Sequence, residues 1–227
     1  MNKKVDFDEY LDNYNSLLSE ATGFFSSSEE YFASYKVDIV KKLVADCAGN
    51  ILEYGCGIGR NLPYLQNIYP AAKLFGSDIA TASLELASKK NPNVIFFTED
   101  GDPNQTEKFD LIFVAGVFHH VPLVERNHIG KVLFNRLKPG GVLVVFEHNP
   151  FNPITRKIVN DCPYDEDAVL LRPKELKNIL SLAGLVNISS SYCLFFPPRL
   201  KKMVKLESIL YWLPLGGQYF VEASKPR

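Results

Sequence analysis

At 227 residues, 46% hydrophobic and 22% charged, the chain can bury the core of one domain and has the balance of an ordinary globular protein. A formal net charge of −1 supplies no basic face for a nucleic-acid partner. The four cysteines lack metal-ligand spacing, and no apolar run suits a leader or a bilayer span, so the expectation is free thiols, no metal and a cytoplasmic protein.

Residues 6–46 read as helical: Ile39, Val40, Leu43 and Val44 recur at helical spacing, as do Tyr10/Tyr14 and Tyr31/Tyr35. From residue 50 the pattern becomes alternating strands and helices. Strands are expected at 50–54, 73–77, 94–98, 109–115 and 141–147, rich in the apolar, β-branched and aromatic residues of a sheet buried on both faces. A helix over 125–137 presents Ile129, Val132, Leu133 and Leu137 on one face, and Lys138-Pro139-Gly140-Gly141 stops it. Another, over 173–183, opens on Pro173 and ends at Gly184. Final strands near 187–195 and 217–224 close the sheet. Between them Leu200, Met203, Val204 and Ile209 oppose Arg199, Lys201, Lys202 and Lys205, which predicts an amphipathic surface helix capable at most of weak contact with a membrane surface.

The most informative run is ILEYGCGIGRN, residues 51–61. A short strand passes through Glu53 into Gly55, Gly57 and Gly59, a turn whose backbone can approach a ligand because glycine adopts positive φ and carries no Cβ. A dinucleotide fingerprint would need its third glycine at the position of Arg60, so a nucleotide-dependent oxidoreductase is the weaker reading. Downstream, Asp78 ends the second predicted strand, and Glu99-Asp100-Gly101 ends the third, with Asp102 competing with Asp100 as the strand-end acid. Ala115-Gly116-Val117 follows the fourth and leads into His119-His120. In open α/β sheets, ligands sit outside the carboxyl ends of the strands, so these positions converge on one crevice.

The run resembles the first motif of class I S-adenosylmethionine (SAM)-dependent methyltransferases. The Gly76-Ser77-Asp78-Ile79, Phe109-Asp110-Leu111-Ile112-Phe113 and Lys138-Pro139-Gly140-Gly141 segments resemble later motifs of that family. The resemblance implies a Rossmann-like α/β fold, a seven-stranded, mostly parallel sheet sandwiched by helices. It divides the chain into an N-terminal helical extension or lid, 1–46, and a methyltransferase domain, 47–227. It implies SAM as cofactor, with S-adenosylhomocysteine (SAH) as product. The cofactor would be held by Glu53, Gly55, Cys56, Gly57, Gly59, Asn61, Asp78, Ile79, Asp100, Gly101, Ala115, Gly116 and Val117. The acceptor would be a small molecule or a lipid- or sugar-linked group, methylated by in-line displacement; a SAM-binding domain without turnover is the alternative. His119, His120, His148 and Tyr164 are the candidates for proton transfer, with His119 and His120 otherwise read as structural residues that cap backbone or pack beneath the cofactor.

The run His148-Asn149-Pro150-Phe151-Asn152-Pro153 resists regular structure and is expected as a loop over the fifth strand, a candidate acceptor site. Asp161, Asp165, Glu166 and Asp167 beyond it read first as a solvated face, and otherwise, with Arg156 and Tyr164, as the lining of a polar pocket.

Overall fold

The computed structural model describes residues 29–99, 106 and 108–227. Seven strands form one sheet: β1 (Asn50–Tyr54), β2 (Lys73–Asp78), β3 (Ile95–Thr98), β4 (Phe109–Ala115), β5 (Leu137–His148), β6 (Val186–Cys193) and β7 (Gln218–Ser224). Their order is β3-β2-β1-β4-β5-β7-β6. The first five run parallel, whereas β7 pairs antiparallel with both β5 and β6. This is the seven-stranded, mostly parallel architecture expected from the sequence. Strand order reverses between β1 and β4, and the crevice at that reversal is where such sheets bind ligands.

Alternation along the central strands builds a core on each side. Leu111 and Phe113 of β4 and Val144 and Phe146 of β5 join one cluster. Ile112, Val114, Leu143 and Val145 join the other. Helices α2 (Leu62–Ile68), α3 (Thr81–Lys90), α4 (Arg126–Arg136), α5 (Pro153–Asp161) and α6 (Pro173–Leu182) connect or cover the strands, and α1 (Glu29–Leu43) precedes them. Helix α1 sets Tyr35, Val37 and Val40 among Ile51, Leu65 and Leu74 of the first cluster. The predicted helix over 6–28, with Tyr10 and Tyr14, lies outside the described residues.

Three local expectations change. The Lys138-Pro139-Gly140-Gly141 run does end α4, but it enters the sheet directly. Phe109 pairs with Leu137 and Leu111 with Val142, so the proline and glycines form an irregularity within β5 rather than a separate turn. Gly140 sits at φ 80°, which explains a glycine there. Secondly, residues 198–206 wind as a 3₁₀ helix interrupted at Leu200, and only α7 (Glu207–Leu210) is α-helical. The segment is tied down by the buried Glu207, whose carboxylate accepts from the Tyr35 hydroxyl and from Phe195 N–H at 2.9 Å. Thirdly, the double Asn-Pro run is not wholly irregular: Pro153 is the first residue of α5, and Asn152 caps it by accepting from Ile154 and Thr155 N–H. Among the described residues no helix is long and apolar enough to cross a membrane.

Candidate active site

The expected crevice is a cavity of about 320 Å³ at the carboxyl ends of β1, β2 and β4. Its floor is the β1–α2 turn. Gly55, Gly57 and Gly59 have φ of 69°, 50° and 74°, conformations that side chains rarely tolerate. A Cβ on Gly55 would lie 2.4 Å from Val117 Cγ2, so the turn and the residues after β4 pack too closely for any larger residue. At Gly57 a Cβ would meet nothing within 4 Å among the described residues, because it would project into the cavity. The turn is fixed from β2: Asp78 Oδ2 accepts from Gly57 N–H at 2.7 Å, and its Oδ1 from Ala80 N–H at 3.0 Å. Asp78 therefore organises the turn as well as facing the cavity, a role not visible in a lone acid at a strand end.

Glu53 is almost fully buried beneath this turn. Asn61 Nδ2 donates to Oε1 at 2.6 Å, while Oε2 has no hydrogen-bond partner among the described residues. Burial pushes its carboxyl up to about 8, against the opposing effects of Asn61 and the Lys36 ammonium. Lys36, missed in the sequence, lines the cavity from α1 beside Phe32 and Ala33. Burial lowers its pKa. The signal was available: a lysine on the apolar face of an amphipathic helix is costly to bury without a charged partner.

Cys56, Asn61, Ile79, Ala115, Gly116 and Val117 also line the cavity, together with Glu99. Arg136 donates to Glu99 Oε1 at 3.1 Å. Asp100 and Gly101 lie outside the described residues.

The three histidines separate. His120 lines the cavity with its ring against Tyr164. His119 is buried behind it and does not line the cavity. Its Nδ1 lies 2.7 Å from Glu147 Oε2, while Glu147 Oε1 accepts from Val117 and Phe118 N–H at 3.1 and 2.7 Å. One buried carboxylate at the end of β5 thus shapes the whole 117–119 segment. Burial opposes a charge on His119, yet Glu147 and Asp165 overcome it and raise its pKa to about 10. His148 packs against the His119 ring; burial and the neighbouring His119 charge lower its pKa to about 4, which keeps it neutral near pH 7.

The acids of the 161–167 segment divide as well. Asp161 is solvated, paired with Lys157. Asp165 and Asp167 instead turn inward: Asp165 Oδ1 faces Nε2 of both His119 and His120, and Asp167 Oδ1 lies 2.9 Å from His120 Nδ1. The Asn-Pro run, expected over the acceptor site, serves the frame. Asn149 Nδ2 donates to Gly216 carbonyl at 2.7 Å and Asn152 Nδ2 to Leu215 carbonyl at 2.7 Å, which locks α5 to the Pro214–Gly217 turn.

Residues 51–141 match a family model described as a methyltransferase domain. Trans-aconitate 2-methyltransferase of Variovorax paradoxus is 29% identical over 125 residues, covering 52% of this chain and 48% of that protein. Phosphoethanolamine N-methyltransferase of Plasmodium falciparum is 26% identical over 133 residues, 55% of this chain and 50% of that one. The chain thus spans about half the length of these curated relatives. In fold it is similar to a SAM-dependent methyltransferase from Archaeoglobus fulgidus, with a TM-score of 0.71 at 15% identity over 94% of this chain and 100% of that one. Phosphoethanolamine N-methyltransferase 2 of Haemonchus contortus gives 0.65 at 17% identity, over 98% and 60% respectively. Together with the glycine turn, the strand-end acid and the strand order, the methyltransferase-domain match over residues 51–141 supports a class I SAM-dependent methyltransferase family for the chain.

Proposed function

We propose that the protein binds SAM in this cavity and transfers its methyl group to a small, anionic acceptor. The observation that carries the reading is the make-up of the cavity lining. It joins a backbone cradle and a buried carboxylate oxygen, without a partner among the described residues, to Lys36, His120 and Tyr164. The residues fit the cofactor. Open space over Gly57 admits a ligand against the turn, and Glu53 Oε2 can accept from an ammonium group. Gly55, Cys56, Gly57 and Asn61 would hold the amino-acid end, with Gly59, packed against Asn91 and Ala87 outside the cavity, shaping the turn; Asp78 would hold the ribose, and Ile79, with Asp100 and Gly101 on the resemblance, the base. Ala115, Gly116 and Val117 leave room where cofactor and acceptor meet.

Bound SAM supplies a methyl on a sulfonium, electrophilic and with a neutral leaving group. The chain's own work is then to position and to exclude water, which alone contributes several kcal/mol. Helix α1, as part of the 1–46 extension, covers the acceptor side with Phe32 and Lys36. His120 is the histidine that contacts the acceptor; Glu147-bound His119 and neutral His148 position it from behind.

An anionic acceptor is supported by the cation Lys36 in the wall, and by relatives named for trans-aconitate and phosphoethanolamine. The exposed Ile209, Trp212 and Leu215 beside Lys202 and Lys205 suit weak contact with a membrane surface should the acceptor be lipid-linked. The test is calorimetric titration with SAH and NADH, followed by SAH release across carboxylate, phosphate and amine acceptors. SAH binding with turnover supports the reading. SAH binding without turnover makes the chain a non-catalytic SAM-binding domain, and preference for NADH overturns the cofactor assignment.

A further inference from the structure

Behind the acceptor wall, two imidazoles converge on one carboxylate oxygen. His119 Nε2 lies 3.6 Å and His120 Nε2 3.4 Å from Asp165 Oδ1. One ligand atom from each of the three residues lies within 4.8 Å of the others. Donors around a four-coordinate ion with bonds of about 2.0–2.1 Å stand about 3.4 Å apart, so two of the three edges already have the required length. The far side of each ring is also arranged as ligation requires. His119 Nδ1 is held by Glu147 at 2.7 Å and His120 Nδ1 by Asp167 at 2.9 Å. A carboxylate behind an imidazole fixes its tautomer, directs Nε2 outward and strengthens it as a ligand.

From this geometry we propose that His119, His120 and Asp165 bind a divalent transition-metal ion, with Glu147 and Asp167 as positioning residues. Two nitrogens and one oxygen suit zinc, cobalt, manganese or ferrous iron rather than calcium or magnesium, which prefer all-oxygen sets. Two nearby carboxylates beyond Asp165 favour a dication over a neutral occupant. Because His120 and Tyr164 line the cavity, an ion on these ligands borders the acceptor end. There it would draw in a carboxylate, phosphate or hydroxyl oxygen of the acceptor, a role that rests on the methyltransferase reading; metal binding itself does not.

Spacing along the chain hides the site, since Asp165 comes from a short 3₁₀ turn, Pro163–Asp165, far from the histidine pair in sequence. The fold brings that turn back over the pair, with Val169 N–H donating to His119 carbonyl at 2.8 Å.

The test uses the full chain without an affinity tag, stripped by a chelator. Zinc is titrated by calorimetry, and cobalt by the visible absorption that reports nitrogen–oxygen coordination and low coordination number. The expected result is one ion per chain. Asp165→Asn and His120→Ala should each weaken zinc binding at least tenfold, and Asp167→Asn, which leaves the three ligands in place, should weaken it about 10- to 100-fold at the same stoichiometry. Metal should also raise the melting temperature of the wild type and not that of folded Asp165→Asn. SAH affinity of the metal-free protein is measured alongside, so that failure of the metal site and failure of the cofactor site are read separately. Absence of stoichiometric zinc and cobalt binding, or binding unchanged by Asp165→Asn, would overturn the proposal and leave the cluster a network of proton-mediated contacts.

Discussion

Glu147→Gln isolates the electrostatics of the site's rear wall. In the wild type one carboxylate accepts from two backbone N–H groups and pairs with His119. The amide can still accept from the backbone but carries no charge for the imidazole. In the metal-free protein His119, raised to about 10, holds its proton in the folded state at pH values where the unfolded chain, near 6.5, has lost it. The unfolded state therefore binds fewer protons, and this contribution is full below about pH 6.5 and disappears as pH rises through about 10. The slope reaches about 1.4 kcal/mol per pH unit, so the wild type loses about 2–3 kcal/mol between pH 7.5 and 9.5 from this residue. In Glu147→Gln, burial without its main counter-charge lowers the His119 pKa and most of that slope goes; near neutrality the variant is about 3–5 kcal/mol less stable. Urea denaturation across that pH range reads both effects. His119→Asn, which removes the titrating group, should show the same flat profile. A slope in Glu147→Gln equal to the wild type's would refute the paired-imidazolium argument.

Gly57→Val should fold with a backbone strain of about 1–2 kcal/mol, because its side chain enters open space, and lose SAH affinity by at least about tenfold, measured by calorimetry. Asn152→Ala should destabilise the apo protein by about 1–2 kcal/mol through loss of the α5 cap and of the bond to Leu215 carbonyl, with SAH affinity unchanged; denaturation and titration separate the two. Lys36→Met should raise KM for the acceptor that the panel identifies by about tenfold while leaving the SAH dissociation constant within about twofold, in line with the loss of a charge-assisted contact.

The sheet was legible because its signals are local. Phe109–Ala115 is apolar on both faces, so its period and length alone mark a central strand, and the Gly55–Gly59 turn carries a backbone conformation that only glycine adopts freely. Signals failed where two energies compete within one segment. In residues 198–206 the helical spacing of apolar residues is real, yet Pro197 and Pro198 at its start and the tether through Glu207 select a tighter winding. In Lys138–Gly141 the helix stop was correct. The strand began at once, however, because Leu137 already pairs with Phe109, a fact about a neighbouring strand that no local window contains.

The site divides along the same line. Its proposed cofactor side rests on backbone shape and strand-end position, both written into short stretches of sequence. Its proposed acceptor side draws on α1, the end of β4, the end of β5 and the 3₁₀ turn at Pro163–Asp165, and the meaning of each residue depends on its partner. Asp165 and Asp167 have the composition of a solvated loop, and they become part of the site only because His119 and His120 lie beneath them. Asn149 and Asn152 look like loop residues above a pocket, yet their amides are committed to carbonyls of the Pro214–Gly217 turn. Lys36 stands on the apolar face of α1, which marks it as unusual, and it is the fold that sets it beside Glu53 and the cavity. Cofactor binding can therefore be argued from motif alone, whereas acceptor chemistry has to be argued from pairs: His119 with Glu147, His120 with Asp165 and Asp167. Substitutions that test one member of each pair while preserving the other are the ones able to separate positioning from contact.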